Sequence, residues 1–110
     1  IRVTGFKKIK QTDDDLFKAL QQGPVSVGID ASGLQFYDSG IYEPSQVVHL
    51  DHAVLLVGAG ITDDGTKYWI IKNSWGTTWG ECGYFRLKRY PDCIKYSLGI
   101  CRLASRPDVE

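Results

Sequence analysis

The sequence lacks the features that identify nucleic-acid-binding proteins and membrane proteins. It has no methionine, two histidines and three cysteines in 110 residues. Its thirteen basic and thirteen acidic side chains cancel, so no excess of positive charge indicates a nucleic acid or an anionic membrane as partner. No apolar run approaches the roughly 20 residues of a membrane-spanning helix. We therefore expect neither a nucleic-acid partner nor a membrane span.

The start of the chain lacks both an initiating methionine and the layout of a signal peptide. With no methionine elsewhere, this start predicts a fragment or a processed chain of a longer gene product. A length of 110 residues with 43% apolar residues is enough for one domain with a moderate core. We predict a single domain over residues 1–110.

The glycines, histidines and acidic residues do not indicate a cofactor. Gly58-Ala59-Gly60 lacks the third glycine and the following helix of a dinucleotide-binding fingerprint. The histidines and cysteines have none of the spacings that are usual for zinc. The acidic run Asp13-Asp14-Asp15 fits the N-terminus of a helix better than a metal site. The sequence predicts no cofactor and no metal.

Periodicity predicts one helix and several strands. The helix follows Thr12, has apolar residues at helical spacing and stops at Gly23-Pro24. Leu34–Tyr37 is expected to form one helical turn. Strands are predicted at Val3–Lys10, Val25–Asp30, Val54–Val57, Tyr68–Ile71 and Tyr84–Lys88, with a return strand within Ile94–Leu103. The polar tail from Ser105 is expected to fray. This pattern predicts an α+β fold, an antiparallel, barrel-like half-domain with a short N-terminal helix.

A predicted hairpin in the middle of the chain joins His52 to Asn73. Its two apolar runs are connected through Asp63-Asp64-Gly65, which is typical hairpin turn chemistry. Because a hairpin returns the end of its second strand to the start of its first, His52 and Asn73 can meet. An imidazole held by an amide is suited to act as a general base, since the amide fixes its tautomer and orientation without adding charge.

Two segments around these residues carry a resemblance to a known family. Leu50–Val54 (LDHAV) and Lys72–Gly80 (KNSWGTTWG) closely resemble the His and Asn motifs of papain-like cysteine proteases. Gln22–Val27, Ser39–Tyr42 and Gly83–Phe85 are similar to further landmarks of that family. The resemblance extends over nearly the whole chain and implies the C-terminal domain of the papain-like fold.

The resemblance assigns a role to each residue of the motifs. It implies that His52 is the catalytic base and that Asn73 is its orienting partner. It implies that Trp75 shields their hydrogen bond and that Trp79 lines the leaving-group side of the cleft. In the family, such a histidine deprotonates a cysteine, and the resulting thiolate is the nucleophile.

That nucleophile is missing from this sequence. The family signature around it is expected about 130 to 150 residues before the His and Asn, but only 51 residues precede His52 and none is a cysteine. The glutamine that helps to bind the oxyanion would lie in the same absent segment. We therefore expect the C-terminal half of a cysteine endopeptidase, inactive alone. Its partners would be an N-terminal half carrying the cysteine, as a missing segment or a separate chain, and a peptide or protein substrate.

Three cysteines allow at most one disulfide within the chain and leave one thiol over. Cys101 resembles a family position whose usual partner would lie near Gln46, where no cysteine is present. The pairing that we favour is Cys93 with Cys101, which leaves Cys82 free or bound to a partner chain. Three reduced cysteines are the alternative, and we expect none of the three to be the nucleophile.

The resemblance also indicates residues that contact substrate. It implies that Gly28, Leu50, Asp51 and Ala53 bind substrate, chiefly the residue before the scissile one. Arg106 matches the floor of that pocket, although a solvated arginine in the tail is the simpler interpretation.

Compartment and assembly are further expectations. Family resemblance implies a lysosomal or vacuolar enzyme or a secreted one, and an isolated half is expected to self-associate through its uncovered face. The alternative function is a non-catalytic module that binds or inhibits a protein partner.

Overall fold

Seven β-strands and one α-helix form the computed structural model, which describes residues 3–44 and 49–109, without the side chains of residues 3–7 and 106–109. The elements are β1 (Val3–Lys8), α1 (Asp13–Leu20), β2 (Val25–Ile29), β3 (Ile41–Tyr42), β4 (His52–Ile61), β5 (Lys67–Lys72), β6 (Tyr84–Lys88) and β7 (Ala104–Val109). Short 3₁₀ helices lie at Leu34–Phe36 and Ser97–Gly99. Within the described part of the chain, no helix is both long and apolar enough to cross a membrane.

The strands form a single sheet in the order β1-β7-β2-β4-β5-β6-β3. Neighbours are antiparallel except β3 and β6, which run parallel. The predicted α+β class with mainly antiparallel strands is confirmed. The described strands do not close into a barrel, because β1 and β3 are the two edges of the sheet.

Helix α1 begins where the acidic run predicts. The Thr12 hydroxyl oxygen accepts a hydrogen bond from the Asp15 backbone N–H at 3.0 Å, which caps the helix. Asp13 accepts two hydrogen bonds from the Arg89 guanidinium at 3.2 and 2.6 Å, which attach the helix to the sheet. Among residues 3–44 and 49–109, no three His, Cys, Asp or Glu side chains gather as a group that could hold a metal ion.

The core lies between α1 and one face of the sheet. In β2 the alternate residues Val25, Val27 and Ile29 are buried, as their period of two predicts. The largest side chains in the core are Trp69 and Phe85, both fully buried on β5 and β6. This packed face holds β4 and β5 rigidly beside each other, and their ends carry His52 and Asn73.

The glycines of Gly58-Ala59-Gly60 have a structural role inside β4. A Cβ at Gly60 would lie 2.5 Å from the Tyr68 ring on β5, and one at Gly58 would lie 3.3 Å from Ile70. Pairing with β5 shifts register between Leu56 and Gly58, which is the signature of a β-bulge.

Two predictions for the C-terminal part are wrong. Ile94–Leu103 contains no strand; it forms a 3₁₀ turn inside the loop closed by the Cys93–Cys101 disulfide. The tail is a strand: β7 pairs with β1 on one side and with β2 on the other. Two neighbouring strands satisfy its backbone hydrogen bonds, so its polar composition does not prevent pairing.

The predicted pairing of Cys93 with Cys101 is confirmed, whereas Gln46 lies outside the described residues.

Candidate active site

His52 is the first residue of β4, next to the end of β2. It pairs with Ile29, and the N–H of the preceding Asp51 donates to the Ile29 carbonyl at 3.0 Å. The Asp51 carboxylate accepts from the Ala31 N–H at 3.0 Å. The backbone and the side chain of Asp51 therefore both fix the approach to His52.

Asn73 directly follows β5 and comes back to His52 as the hairpin predicts. Its N–H donates to the Gly83 carbonyl at 3.0 Å, and its side chain is 7% exposed. The distance between His52 Nε2 and Asn73 Oδ1 is 2.8 Å, which is a hydrogen bond. The sequence prediction that these two residues meet is therefore confirmed.

The orientation of the Asn73 amide determines the tautomer of His52. Asn73 Oδ1 also accepts from the Ser74 N–H at 2.8 Å. A backbone N–H can only donate, so the atom that it meets must be the amide oxygen. His52 Nε2 must then carry a hydrogen and donate it, which leaves Nδ1 as the basic nitrogen of the neutral ring.

Two indoles lie in series next to this hydrogen-bonded pair, and the first of them stacks on His52. The Trp75 ring stacks on the His52 ring with centroids 5.2 Å apart. Trp79 meets Trp75 edge to face at 5.1 Å, and its Nε1 donates to the Leu34 carbonyl at 3.1 Å. Trp75 therefore lies against the imidazole, and Trp79 contacts Trp75.

Two of the residues predicted to bind substrate, Gly28 and Leu50, lie close together. A Cβ added to Gly28 would lie 3.3 Å from Leu103 Cβ and 3.7 Å from Leu50 Cδ1. Gly28 pairs with Ala53, which lines a cavity of about 410 Å³ with Asn73. The position of the missing Gly28 side chain is therefore flanked by two apolar side chains, and we call it the Gly28 depression. The Arg106 backbone pairs with Lys7, and the Arg106 side chain lies outside the described part of the structure.

Sequence reasoning missed Leu103 as a residue of this depression. Leu103 is 63% exposed, and its carbonyl accepts from the Gly28 N–H at 2.8 Å. It follows the disulfide loop and lies 75 positions after Gly28 in the chain. No local pattern in the sequence points to Leu103, because its contact with Gly28 joins segments that are distant in the chain.

The three cysteines occupy two different environments. Cys93 and Cys101 are buried and bonded to each other, so neither is a thiol. Cys82 is free and exposed. It lies in a tight turn in which Glu81 and Tyr84 exchange backbone hydrogen bonds of 2.9 and 3.1 Å. Cys82 and Gly83 have φ values of +56° and +92°, the pattern of a type I′ turn.

Cys82→Asn is expected to stabilise the protein by up to about 1 kcal/mol, because asparagine tolerates the left-handed conformation better than cysteine does. Thermal unfolding of the reduced protein measures the effect. Cys82→Ala is the matched control, since it removes the thiol without adding an amide. Equal melting temperatures for the two variants would show that the turn conformation carries no such strain.

Comparison with known proteins identifies the family of this chain. Residues 1–107 match the papain family of cysteine proteases. The senescence-specific cysteine protease SAG12 of Arabidopsis thaliana is 45% identical over 107 residues, which make up 94% of this chain and 30% of that protein. Vignain of Ricinus communis is also 45% identical over 107 residues, or 94% of this chain and 29% of that protein. The chain spans about 30% of the length of these curated relatives.

Solved structures share the fold. The bromelain protease of Ananas comosus, in complex with the inhibitor E64, superposes with a TM-score of 0.89 at 34% identity, over 98% of this chain and 51% of that one. The ragweed pollen allergen Amb a 11, a cysteine protease in its proform, gives 0.91 at 35% identity, over 100% and 34% of the two chains. The family match covers nearly the whole sequence and the fold is shared, so this chain belongs to the papain family of cysteine proteases.

Proposed function

We propose that this chain is the C-terminal half of a cysteine endopeptidase and supplies the base and its orienting partner for peptide-bond hydrolysis. The observation that carries the proposal is the 2.8 Å hydrogen bond between His52 Nε2 and Asn73 Oδ1 beneath the stacked Trp75 ring. A histidine whose tautomer is fixed by a neutral amide has its other nitrogen ready for proton transfer.

The first half of the reaction moves a proton through His52 Nδ1. Nδ1 takes the proton of a cysteine thiol, which gives a thiolate and an imidazolium that Asn73 holds in place. The thiolate attacks the scissile carbonyl carbon, and a C–S bond forms. As the C–N bond breaks, the Nδ1 proton passes to the leaving amine and a thioester remains.

The second half repeats the same proton transfers with water. Nδ1 removes a proton from water, the oxygen attacks the thioester carbon, and the C–S bond breaks to release the acid and restore the thiolate. Trp75 covers the His52–Asn73 bond throughout. Exclusion of water strengthens that bond and keeps the imidazole in its orientation.

A separate half of the enzyme must supply the thiol. Cys93 and Cys101 are bonded to each other, and Cys82 lies in the turn after the tryptophan motif. We propose that the N-terminal half carries the nucleophile and the glutamine that helps to bind the oxyanion, and that this chain alone is inactive.

The first experiment is native, non-reducing mass spectrometry followed by a thiol-reactive peptidyl probe. Co-purification with a second chain, or a longer product, that takes up the probe outside this segment would support the proposal. Probe uptake at Cys82 of the lone chain, with peptide cleavage, would contradict it. A lone chain that binds a protein partner and lacks activity even with the N-terminal half supplied would favour the binding or inhibitory module.

We place the side chain of the residue before the scissile one in the depression at Gly28. Leu50 and Leu103 are the apolar side chains that flank it, and Ala53 is the partner of Gly28 on β4. Asp51 binds the Ala31 N–H through its carboxylate. Since glycine has no side chain, the depression has room for a bulky apolar group.

Gly28→Val is expected to lower kcat/KM about tenfold for substrates with phenylalanine at that position, because the new methyl groups fill the depression. Substrates with alanine there should lose little. Kinetics of the complete protease with a matched pair of peptides measures the difference, and adding Leu103→Ala to Gly28→Val should restore part of the loss. An equal loss for both peptides would indicate a disturbed fold instead of a filled pocket.

We further propose a lysosomal, vacuolar or secreted location. The Cys93–Cys101 disulfide supports it, because disulfides persist mainly in oxidising compartments and outside the cell.

A further inference from the structure

Glu81 and Arg86 form a polar anchor at the end of the loop that carries Trp75 and Trp79. The Glu81 carboxylate accepts two hydrogen bonds from Arg86, from Nε at 2.9 Å and from Nη2 at 2.8 Å. It accepts a third from the Gly40 N–H at 3.2 Å. These bonds keep the pKa of Glu81 below its usual value, with Arg86 as the main cause. One carboxylate therefore joins the end of the tryptophan loop, strand β6 and the turn before β3.

Tyr37 connects this anchor to Trp79. Its hydroxyl donates to the Gly40 carbonyl at 2.6 Å and accepts from the Arg86 backbone N–H at 3.4 Å. Its ring packs against the Trp79 ring with centroids 5.5 Å apart. Gly80 directly follows Trp79 in the chain. A Cβ at Gly80 would be 3.2 Å from the Tyr37 ring and 2.7 Å from the Tyr84 carbonyl oxygen. The backbone at Gly80 thus packs directly against Tyr37.

The contacts continue to the imidazole. Trp79 meets Trp75 edge to face at 5.1 Å, and Trp75 stacks on His52 at 5.2 Å. Trp75 is 38% exposed, and its described ring contacts are those with Trp79 and His52. A shift of Trp79 would therefore move the ring that covers the His52–Asn73 hydrogen bond.

We propose that Glu81 is a positioning residue for catalysis, which acts with Arg86 through Tyr37, Trp79 and Trp75 to hold the cover over His52. The inference rests on the proposed function of His52 and Asn73. A partly exposed ion pair contributes little to stability by itself, and the Glu81 and Arg86 side chains are 30% and 36% exposed. The effect of Glu81 should therefore appear in turnover more than in unfolding.

The test is Glu81→Gln in the complete protease, because glutamine keeps the length but loses the charge and the paired acceptors. We expect kcat to fall about tenfold with KM within about twofold, less than the hundredfold loss that a misplacement of one ångström can cause. The ring-current shifts that Trp75 imposes on the His52 ring protons should decrease in NMR spectra of the same variant.

Glu43→Gln is the matched control. Glu43 accepts from Lys88 at 2.8 Å, so this pair also joins β6 to the segment around β3. It has no contact with Tyr37 or Trp79 among the described interactions, and its loss should leave kcat and the His52 signals unchanged. If Glu81→Gln does not fold, Tyr37→Phe tests the same link, with an expected loss of about threefold from one hydroxyl hydrogen bond.

The outcomes separate this inference from the proposed function. Wild-type kcat and His52 signals in Glu81→Gln, while Asn73→Ala loses activity, would overturn the positioning role. A change in both readouts for Glu81→Gln but not Glu43→Gln would support it. His52 signals that move in Glu81→Gln, with full activity in both Glu81→Gln and Asn73→Ala, would support the structural link and overturn the proposed function.

Discussion

His52→Ala in the complete protease is expected to lower kcat/KM by about 10⁴-fold, the upper end of what a general base contributes. The loss is expected to be large because, in the proposed mechanism, one imidazole both generates the thiolate and protonates the leaving amine. Asn73→Ala should lower kcat/KM by about 10²-fold, because the imidazole remains but its ring is free to turn. A larger loss for His52→Ala than for Asn73→Ala would distinguish the base from the residue that orients it.

The sequence offers a matched control for this comparison. His49 is exposed and lies three positions before His52, and His49→Ala should leave kcat/KM unchanged. Peptide hydrolysis and labelling by a thiol-reactive probe are measured for all three variants. If His52→Ala keeps wild-type activity and labelling, the assignment of His52 as base is wrong.

Trp69→Ala is expected to destabilise the protein by about 3–5 kcal/mol, the usual range for removal of a buried aromatic ring. Trp69 is fully buried, packs against Phe17 at 6.5 Å and lies under the Arg89 guanidinium at 4.3 Å. The substitution leaves a cavity where α1 meets the sheet. Since small domains are stable by about 5–15 kcal/mol in total, this variant should unfold at a much lower temperature or fail to fold.

Trp75→Ala is the matched control, and it should show the opposite pattern. Trp75 is 38% exposed and stacks on His52, so its loss should change stability by about 1 kcal/mol or less and reduce kcat about tenfold. Denaturant unfolding and peptide kinetics on both variants measure the two effects. A large loss of stability in Trp75→Ala, with full stability in Trp69→Ala, would contradict this division between core and site.

Local features of the chain were predictable because they depend on residues close in sequence. The alternation of β2 and the cap at Thr12 follow from period and hydrogen-bonding chemistry over a few residues. The meeting of His52 with Asn73 follows from the same logic, since a single hairpin turn is enough to bring them together. The family resemblance then supplied the chemistry that we propose for this pair.

The C-terminal part shows where such reasoning fails. Ala104–Val109 is a polar segment that looks like a fraying tail, yet it pairs with both β1 and β2. Its stability comes from hydrogen bonds to strands that lie far away in the chain, so its own composition carries no signal for them. The wrong prediction of a strand within Ile94–Leu103 has a related cause, because the disulfide closes a loop there.

The sequence by itself determined the residue types of the candidate active site and the short-range geometry that joins His52 to Asn73. Only the tertiary structure decided that Leu103 lies beside Gly28, and that Glu81 reaches Gly40 across 41 positions of the chain. The physical reason is that periodicity and turn chemistry act between near neighbours. Contacts between distant segments depend on how the whole sheet pairs, and no local pattern specifies that pairing.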